Sequence, residues 1–333
     1  MQNARMNKPC RNIVADERLD QAMAWSCEVL GENRLVPEPV SGDASFRRYF
    51  RFEAAGRSLI LMDAPPQQED SARFLDIGDR IRRAGLRTPE IYQFDLQKGF
   101  GLMEDFGDTL YRELIHENTP QELFDGLFDI LEGFAGRVDA RGLPEYAAGT
   151  LQFEMDLFTD WYLKRHRRRE LSEEEQAAWT RFTSLLIESA QGQPQVFVHR
   201  DFHSCNLLKT TGGVGIIDYQ DGVLGPLNYD LASLIWDRYV SWPRARLLEW
   251  METMHRRFGL DIPLQEWVRS CDWMGLQRNL KIVGIFTRLE YRDGKRGYLA
   301  MLPRFYQYLL DVMPLYPEFD EMTWLLERSE CAP

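Results

Sequence analysis

The sequence predicts an α+β protein in two lobes, a small N-lobe built on an antiparallel sheet and a larger C-lobe that is mostly helical. Residues 36–103 alternate short apolar runs with a single amphipathic segment, which is typical of a small sheet with one helix. From residue 111 onward, apolar residues recur at helical spacing over long segments. We therefore place the N-lobe at 12–103, a connecting hinge at 104–110 and the C-lobe at 111–333.

The N-lobe begins with a predicted helix over 16–30. Asp16 is its expected cap and Gly31 its stop, and the apolar residues between them recur at helical spacing. Strands are predicted at 46–52, 58–63, 89–94 and 100–103, and one helix at 70–83. Charge and glycine in 104–108 are typical of a linker between lobes, whose backbone would face the adenine edge of a nucleotide.

The C-lobe is predicted to be helical at 110–116, 121–138, 153–169, 172–190, 245–258, 264–290 and 303–313. Residues 196–221 interrupt this pattern as strand, loop and hairpin, and the first residues after Asp221 are predicted to be a loop. The basic run 164–169 favours a solvated helix end over a phosphate or nucleic-acid site, because cations there complement the helix dipole.

Bulk properties exclude several functions. The chain has 333 residues and a net charge of −12, which argues against a nucleic-acid partner. No run is long enough to span a bilayer, and residues 1–12 lack the apolar core of a signal peptide. Five scattered cysteines without a C-x-x-C pair indicate free thiols, so we expect a cytoplasmic protein without a membrane partner. The sequence does not define an oligomeric state.

The chemistry is predicted to lie in 196–221. An apolar run ends at His199-Arg200-Asp201, Asn206 follows after four further residues, and a second apolar run ends at Asp218. The spacing H-R-D-x-x-x-x-N is the catalytic-loop pattern of kinases. In phosphoryl transfer an aspartate accepts the proton of the attacking hydroxyl, while an amide and a second carboxylate hold Mg²⁺. Asp201 is therefore the predicted catalytic base, and Asn206 and Asp218 the predicted metal ligands.

Two further features are weaker or point elsewhere. A run of small residues precedes the first long strand and consists of Ser41, Gly42, Asp43, Ala44 and Ser45. Its backbone amides and hydroxyls could cover nucleotide phosphates, although such a sequence also forms ordinary turns. His199 and His203 are four residues apart, which leaves a zinc hydrolase open, but the glutamate of H-E-x-x-H is absent. Cys205 lies in the same loop and is a minor candidate nucleophile.

These motifs together resemble the aminoglycoside phosphotransferase family, which has the two-lobed protein-kinase-like fold. The resemblance is carried by H-R-D-F-H-S-C-N (199–206), I-I-D-Y-Q-D (216–221), Y-D-L-A (229–232), L-M-E-D-F-G (102–107) and S-G-D-A-S-F-R-R-Y (41–49). It implies ATP and Mg²⁺ as cofactors and a small-molecule acceptor. It also implies that Glu104, Asp105 and Phe106 contact adenine, that 41–45 covers the phosphates, and that His199 and Asp230 support the catalytic loop.

Within this family the chain is most similar to bacterial kinases that phosphorylate the anomeric hydroxyl of N-acetylmuramate and N-acetylglucosamine in peptidoglycan recycling. The stretches S-G-D-A-S-F-R-R-Y-F, L-M-D-A-P-P and L-Q-R-N-L-K-I-V-G-I-F carry this similarity. It implies substrate contacts from the catalytic loop and the helix over 264–290, for which the candidates are His203, Asp221 and Arg278. The carboxylate of N-acetylmuramate requires a cation, and Arg278, Lys281 and Arg288 share that helix.

Some features depart from the kinase pattern. D-F-G is replaced by D-Y-Q and no A-P-E follows, which disfavours a protein kinase. Met62 stands where a phosphate-binding lysine is expected, with Arg48 or Arg51 as possible substitutes and Glu69 as the nearest partner glutamate. Kinases of aminoglycosides, choline or fructosamine, and a nucleotide-binding scaffold without catalysis, remain alternatives.

Overall fold

A computed structural model describes residues 16–40, 46–116, 119 and 121–330 of the chain. These residues divide into two compact units. One comprises the described part of Met1–Ala72 together with Pro89–Asp105, and the other comprises Arg73–Thr88 and the described residues from Phe106 onward. No helix among the described residues has the length and apolar character that a membrane span requires.

The first unit is an antiparallel sheet covered on one face by a helix. Helix α1 (Glu17–Leu30) begins at Asp16, whose side chain accepts the Leu19 N–H, and it ends at Gly31 in the left-handed conformation, as its sequence predicts. The strands, in the spatial order β1-β2-β3-β5-β4, are β1 (Glu38–Val40), β2 (Arg48–Ala54), β3 (Arg57–Asp63), β4 (Ile91–Asp95) and β5 (Phe100–Glu104).

The core of this unit lies between α1 and one sheet face. Ala22 and Trp25 of α1 are buried against Phe52, Leu59 and Leu61 of the sheet. Because side chains alternate along a strand, residues adjacent to these in sequence point to the opposite face. Tyr49 pairs with Met62 in the register of β2 and β3, so both lie on that opposite face.

The second unit is mostly helical. Its helices are α2 (Ser71–Arg83, of which the first two residues belong to the first unit), α3 (Tyr111–Leu114), α4 (Gln121–Gly136), α5 (Ala148–Leu157), α6 (Glu173–Gln191), α7 (Tyr229–Ile235), α8 (Arg244–Arg257), α9 (Leu264–Tyr291), α10 (Leu302–Val312) and α11 (Asp320–Glu330). Two small antiparallel sheets accompany them: β6 (Gln195–Val198) with β9 (Val223–Pro226), and β7 (Leu207–Thr210) with β8 (Gly213–Ile216).

Helix α9 is the central element of this unit, and α5 packs closely against it. A Cβ at Gly284 would lie 2.4 Å from the backbone of Leu157, so only glycine permits this approach. Directly after Leu157 the chain continues as a π-helical stretch, Phe158–His166. The close approach brings the side chains of α5 to the middle of α9, where the buried residues of the site lie.

The sequence-based assignment of the second unit was wrong in two places. Residues 223–226 form strand β9 rather than a loop, because Val223 to Pro226 pair with β6 in an antiparallel register. The segment predicted as one helix over 153–169 begins earlier, at Ala148, and changes to π-helix at Phe158. The remaining predicted helices of this unit are present within a few residues of their expected ends.

Candidate active site

The loop between β6 and β7 carries the predicted catalytic residues in a compact, internally bonded conformation. Arg200 adopts a left-handed φ of 75°, which turns the chain sharply after His199. The Asp201 carbonyl then accepts the His203 N–H at 3.0 Å, and the His203 carbonyl accepts the Asn206 N–H at 2.9 Å. The loop is therefore held by its own backbone before any side chain contributes.

His199 connects this loop to the one that carries Asp218. Its side chain is completely buried, and Nε2 donates to the carbonyl of Ile217 at 3.0 Å, while Nδ1 accepts the Asp201 N–H at 3.3 Å. These partners require the neutral tautomer with the proton on Nε2. Burial lowers the pKa of His199 to about 4, against the opposing charges of Asp201 and Asp221.

The hydrogen bonds of both ring nitrogens also argue against the alternative of a zinc hydrolase. A metal ligand needs a free nitrogen lone pair, and both nitrogens of His199 are used by backbone groups. Among the described residues, no group of three histidine, cysteine or acidic side chains is placed to hold a metal. Cys205 is not activated either, because burial raises the pKa of its thiol.

Asp230 bonds the catalytic loop from the first turn of α7. Its carboxylate accepts the N–H of His199 at 2.6 Å and the N–H of Arg200 at 3.0 Å. The side chain is buried, and desolvation raises its pKa to about 7. The residue before α7 is Asn228, so Asp230 does not cap that helix but holds the backbone that precedes Asp201.

The structure brings Asp201, Asn206 and Asp218 together. Nδ2 of Asn206 donates to the Asp201 carbonyl at 3.0 Å and to Oδ2 of Asp218 at 3.3 Å. Asp218 has a left-handed φ of 62°, and Gln220 donates to its Oδ1 at 2.8 Å. Within the described part of the chain, no hydrogen bond reaches Oδ1 of Asn206. The predicted metal ligands therefore offer an amide oxygen and a carboxylate, the hard oxygen donors that suit Mg²⁺.

Asp201 is ionised in this environment. Burial opposes ionisation, but the positive charges of Lys281 and Arg278 outweigh it and lower the pKa of Asp201 below its usual value. Both cations come from α9. Asp201 can therefore accept a hydrogen bond from a hydroxyl at neutral pH.

A buried ionic cluster adjoins the loop, and sequence reasoning missed it. Oε1 of Glu154 on α5 accepts from Arg200 at 2.7 Å and from Lys281 at 3.0 Å. The hydroxyl of Tyr146 donates to Oε2 of the same carboxylate, and Lys281 also donates to the Tyr229 hydroxyl at 3.1 Å. Lys281 is thus an internal partner of Glu154. One signal was Arg200 itself, since an arginine inside a predicted catalytic loop needs an acidic partner when it is removed from water.

The predicted substrate residues differ in their positions. His203 and Arg278 are buried, with 6% and 5% of their surfaces exposed, and both interact electrostatically with Asp201. Asp221 is exposed, in the turn before β9. Arg288 lies nearly three helical turns beyond Arg278 on α9 and is half-buried.

In the first unit, Met62 is completely buried at the position of the missing lysine. Arg48 bonds Asp16 and lies 2.5 Å from Asp63, and Arg51 binds Asp105 through two hydrogen bonds of 2.6 and 2.9 Å. Both proposed substitutes are therefore engaged in ion pairs. Sequence reasoning overlooked Arg47, which precedes β2, is 6% exposed and lies 3.1 Å from Glu69.

The predicted nucleotide contacts are described only in part. Residues 41–45 lie outside the described residues. The division between the two units falls between Asp105 and Phe106. The Asp105 carboxylate also accepts from Ser58 at 2.6 Å, and the Glu104 N–H donates to the Glu90 carbonyl at 2.8 Å. Both residues are thus bonded within the first unit.

Fold and site together define a phosphotransferase with a protein-kinase-like fold. Solved structures with this fold include an ethanolamine kinase of Plasmodium vivax (TM-score 0.62, 12% identity, 85% of each chain covered) and a choline/ethanolamine kinase family protein of Mesorhizobium loti (TM-score 0.61, 16% identity, 93% of this chain and 99% of that chain). Residues 37–267 match the phosphotransferase enzyme family, and the chain belongs to it.

Two curated relatives are more similar in sequence. An N-acetylmuramate/N-acetylglucosamine kinase of Pseudomonas aeruginosa is 42% identical over 294 residues, which cover 86% of this chain and 87% of the relative. A kinase of the same name from Pseudomonas putida is 38% identical over 330 residues, which cover 95% of this chain and 97% of the relative.

Proposed function

We propose that the protein transfers the γ-phosphoryl group of ATP to the anomeric hydroxyl of N-acetylmuramate and N-acetylglucosamine. The observation that carries this proposal is the 42% identity, over most of both chains, to a kinase named for these two sugars. The cluster of Asp201, Asn206 and Asp218 supports it, since a base and two oxygen ligands suit phosphoryl transfer.

In the proposed reaction Asp201 orients the sugar hydroxyl and accepts its proton as the oxygen bonds to phosphorus. ADP leaves with the electron pair of the broken P–O bond. The charges that keep Asp201 ionised also make it a weak base. A weak base is sufficient, because an anomeric hydroxyl is more acidic than an ordinary alcohol and phosphoryl transfer depends mainly on positioning and electrostatics.

Asn206 and Asp218 are the residues that would hold Mg²⁺. Their oxygen atoms suit a hard cation. Asn206 makes its hydrogen bonds through Nδ2, which leaves Oδ1 for the metal. When bound, Mg²⁺ neutralises phosphate charge. We assign phosphate binding in the first unit to 41–45 and to Arg47, which directly precedes β2 and is held by Glu69. Adenine contacts are assigned to the backbone of Glu104, Asp105 and Phe106.

The proposed setting is peptidoglycan recycling in the cytoplasm. A kinase that produces the 1-phosphates there would bypass part of the de novo synthesis of the nucleotide-sugar precursors. Similarity to the choline and ethanolamine kinases rests on 12–16% identity and therefore concerns the fold.

The test is a substrate panel read by phosphorus NMR. The protein is incubated with ATP, Mg²⁺ and, separately, N-acetylmuramate, N-acetylglucosamine, choline, fructosamine and an aminoglycoside. We expect an anomeric phosphate from both amino sugars. Phosphorylation of choline, fructosamine or the aminoglycoside alone would refute the proposed substrate while keeping the kinase. ATP binding without any product would favour the scaffold.

A further inference from the structure

Two arginines near Asp201 are not among the base and metal ligands assigned above. Arg278 projects from the middle of α9, and Arg238 follows the end of α7. Nη2 of Arg238 lies 3.3 Å from Nε2 of His203 in the catalytic loop. Arg278 interacts electrostatically with both Arg238 and Asp201. Three separate elements thus bring two like charges close to the base.

Neither arginine forms a direct ion pair with a carboxylate of the described residues. Among the residues that the structure describes, no carboxylate lies within 4 Å of either guanidinium. Arg278 is 5% exposed, and its hydrogen bond to the Trp236 carbonyl is long, at 3.4 Å. Asp237 is adjacent, but its carboxylate accepts from Ser204 Oγ at 2.6 Å and from the Tyr239 N–H at 2.7 Å. A buried cation without a partner is unfavourable, so this arrangement suits an anion supplied by a ligand.

His203 provides an independent indication of a ligand. A guanidinium can only donate, so Nε2 of His203 must accept from Arg238 and the proton must reside on Nδ1. His203 is 6% exposed, and its Nδ1 has no hydrogen-bond partner within the described chain. An acceptor on a bound ligand would satisfy this donor.

We infer that Arg238 and Arg278 bind the carboxylate that N-acetylmuramate carries and N-acetylglucosamine lacks, and that His203 orients Arg238. This inference rests on the proposed function. It differs from the sequence-based expectation, which looked for the cation on α9 alone. Lys281 is held 3.0 Å from Glu154, and Arg238, from another element, lies beside Arg278.

The two sugars supply an internal control for the test. In Arg238→Gln we expect kcat/KM for N-acetylmuramate to fall by about 10- to 100-fold, the value of a hydrogen bond to a charged group, through a higher KM. For N-acetylglucosamine, kcat/KM should change by less than about twofold, since no contact is lost. Arg256→Gln, at an exposed position of α8, is the matched control and should leave both values unchanged.

A second measurement tests the contact from the ligand side. The carboxamide of N-acetylmuramate has no negative charge for the arginines to bind. Its kcat/KM with the wild type should therefore be lower than that of N-acetylmuramate, and Arg238→Gln should reduce it little further. An unchanged preference between the sugars in Arg238→Gln, or an equal loss on both, would overturn the inference while the proposed function stands. A wild-type protein that phosphorylates neither sugar overturns the proposed function, and the inference with it.

Discussion

The guanidinium of Arg200 donates a 2.7 Å hydrogen bond to Oε1 of Glu154, and so joins the catalytic loop to helix α5. The same carboxylate oxygen lies 3.0 Å from Nζ of Lys281 on α9. One carboxylate therefore interacts with two cations that come from different elements, the partly exposed Arg200 and the buried Lys281. Because Arg200 directly precedes Asp201, the position of the base depends on this pair.

Glu154→Gln tests that dependence. The substitution leaves the buried Lys281 and the partly exposed Arg200 without their counter-charge, and we expect it to lower the free energy of unfolding by about 3 kcal/mol. Urea titration measures the change. Glu318→Gln is the control, because its pair with Arg269 has a similar distance of 2.8 Å but is exposed, and should cost less than about 1 kcal/mol. Equal losses in the two variants would show that the Glu154 cluster is not a buried ionic network.

Asp201→Asn tests the proposed base. We expect kcat to fall by about 10²- to 10⁴-fold, as is usual for loss of a general base, because the amide cannot accept the hydroxyl proton. The affinity for ATP should change little, as measured by calorimetry. Asp261→Asn, at an exposed loop position, is the control. Turnover of Asp201→Asn at the wild-type rate would remove Asp201 from the reaction.

Asp218→Asn tests the proposed metal site. We expect the Mg²⁺ concentration for half-maximal activity to rise by at least about tenfold, since even residues outside the ligand set commonly have that effect. Direct binding of Mn²⁺, followed by electron paramagnetic resonance, should weaken in parallel and provides a readout independent of turnover. Unaltered Mn²⁺ binding would exclude Asp218 as a ligand.

Local patterns predicted much of this fold. Asp16 and Gly31 delimit α1 as their residue types predict, and the alternating residues of β2 and β3 form strands. Strand β9 escaped prediction because Gly225 and Pro226 are typical of loops. It exists through pairing with β6, and a Cβ at Gly225 would be tight, at 3.2 Å from Tyr146. That pairing joins segments distant in sequence, and no local sequence pattern indicates it.

The residues of the site also fall into those that a local pattern indicates and those that depend on tertiary packing. His199, Asp201, Asn206 and Asp218 lie in one short stretch, so their spacing could indicate their chemistry from the sequence alone. Glu154 is one of two acids on α5, and Arg238 is a cation in the segment that follows α7. Each has the appearance of a surface residue until α5, α7 and α9 pack together. Residues whose role depends on that packing could not be predicted.

The neutral tautomer of His199 predicts a pH dependence of stability. Its pKa is about 4 in the folded protein and close to 6.5 in the unfolded chain, so the unfolded state binds the additional proton between these values. Stability from this group is therefore complete above pH 6.5 and is lost as the pH falls toward 4. The loss at pH 5 relative to pH 7 is about 2 kcal/mol.

His199→Asn isolates this contribution. Asp230 acts in the opposite sense, because its pKa of about 7 makes stability decline as the pH rises from 3.8 to 7, and the wild-type curve contains both effects. The variant keeps Asp230 and cannot take up the histidine proton. Urea unfolding at pH 7 and pH 5 should therefore show a loss about 2 kcal/mol smaller in the variant than in the wild type. The same difference between the two pH values in both proteins would mean that His199 is already protonated in the folded state, which would break its bond from the Asp201 N–H.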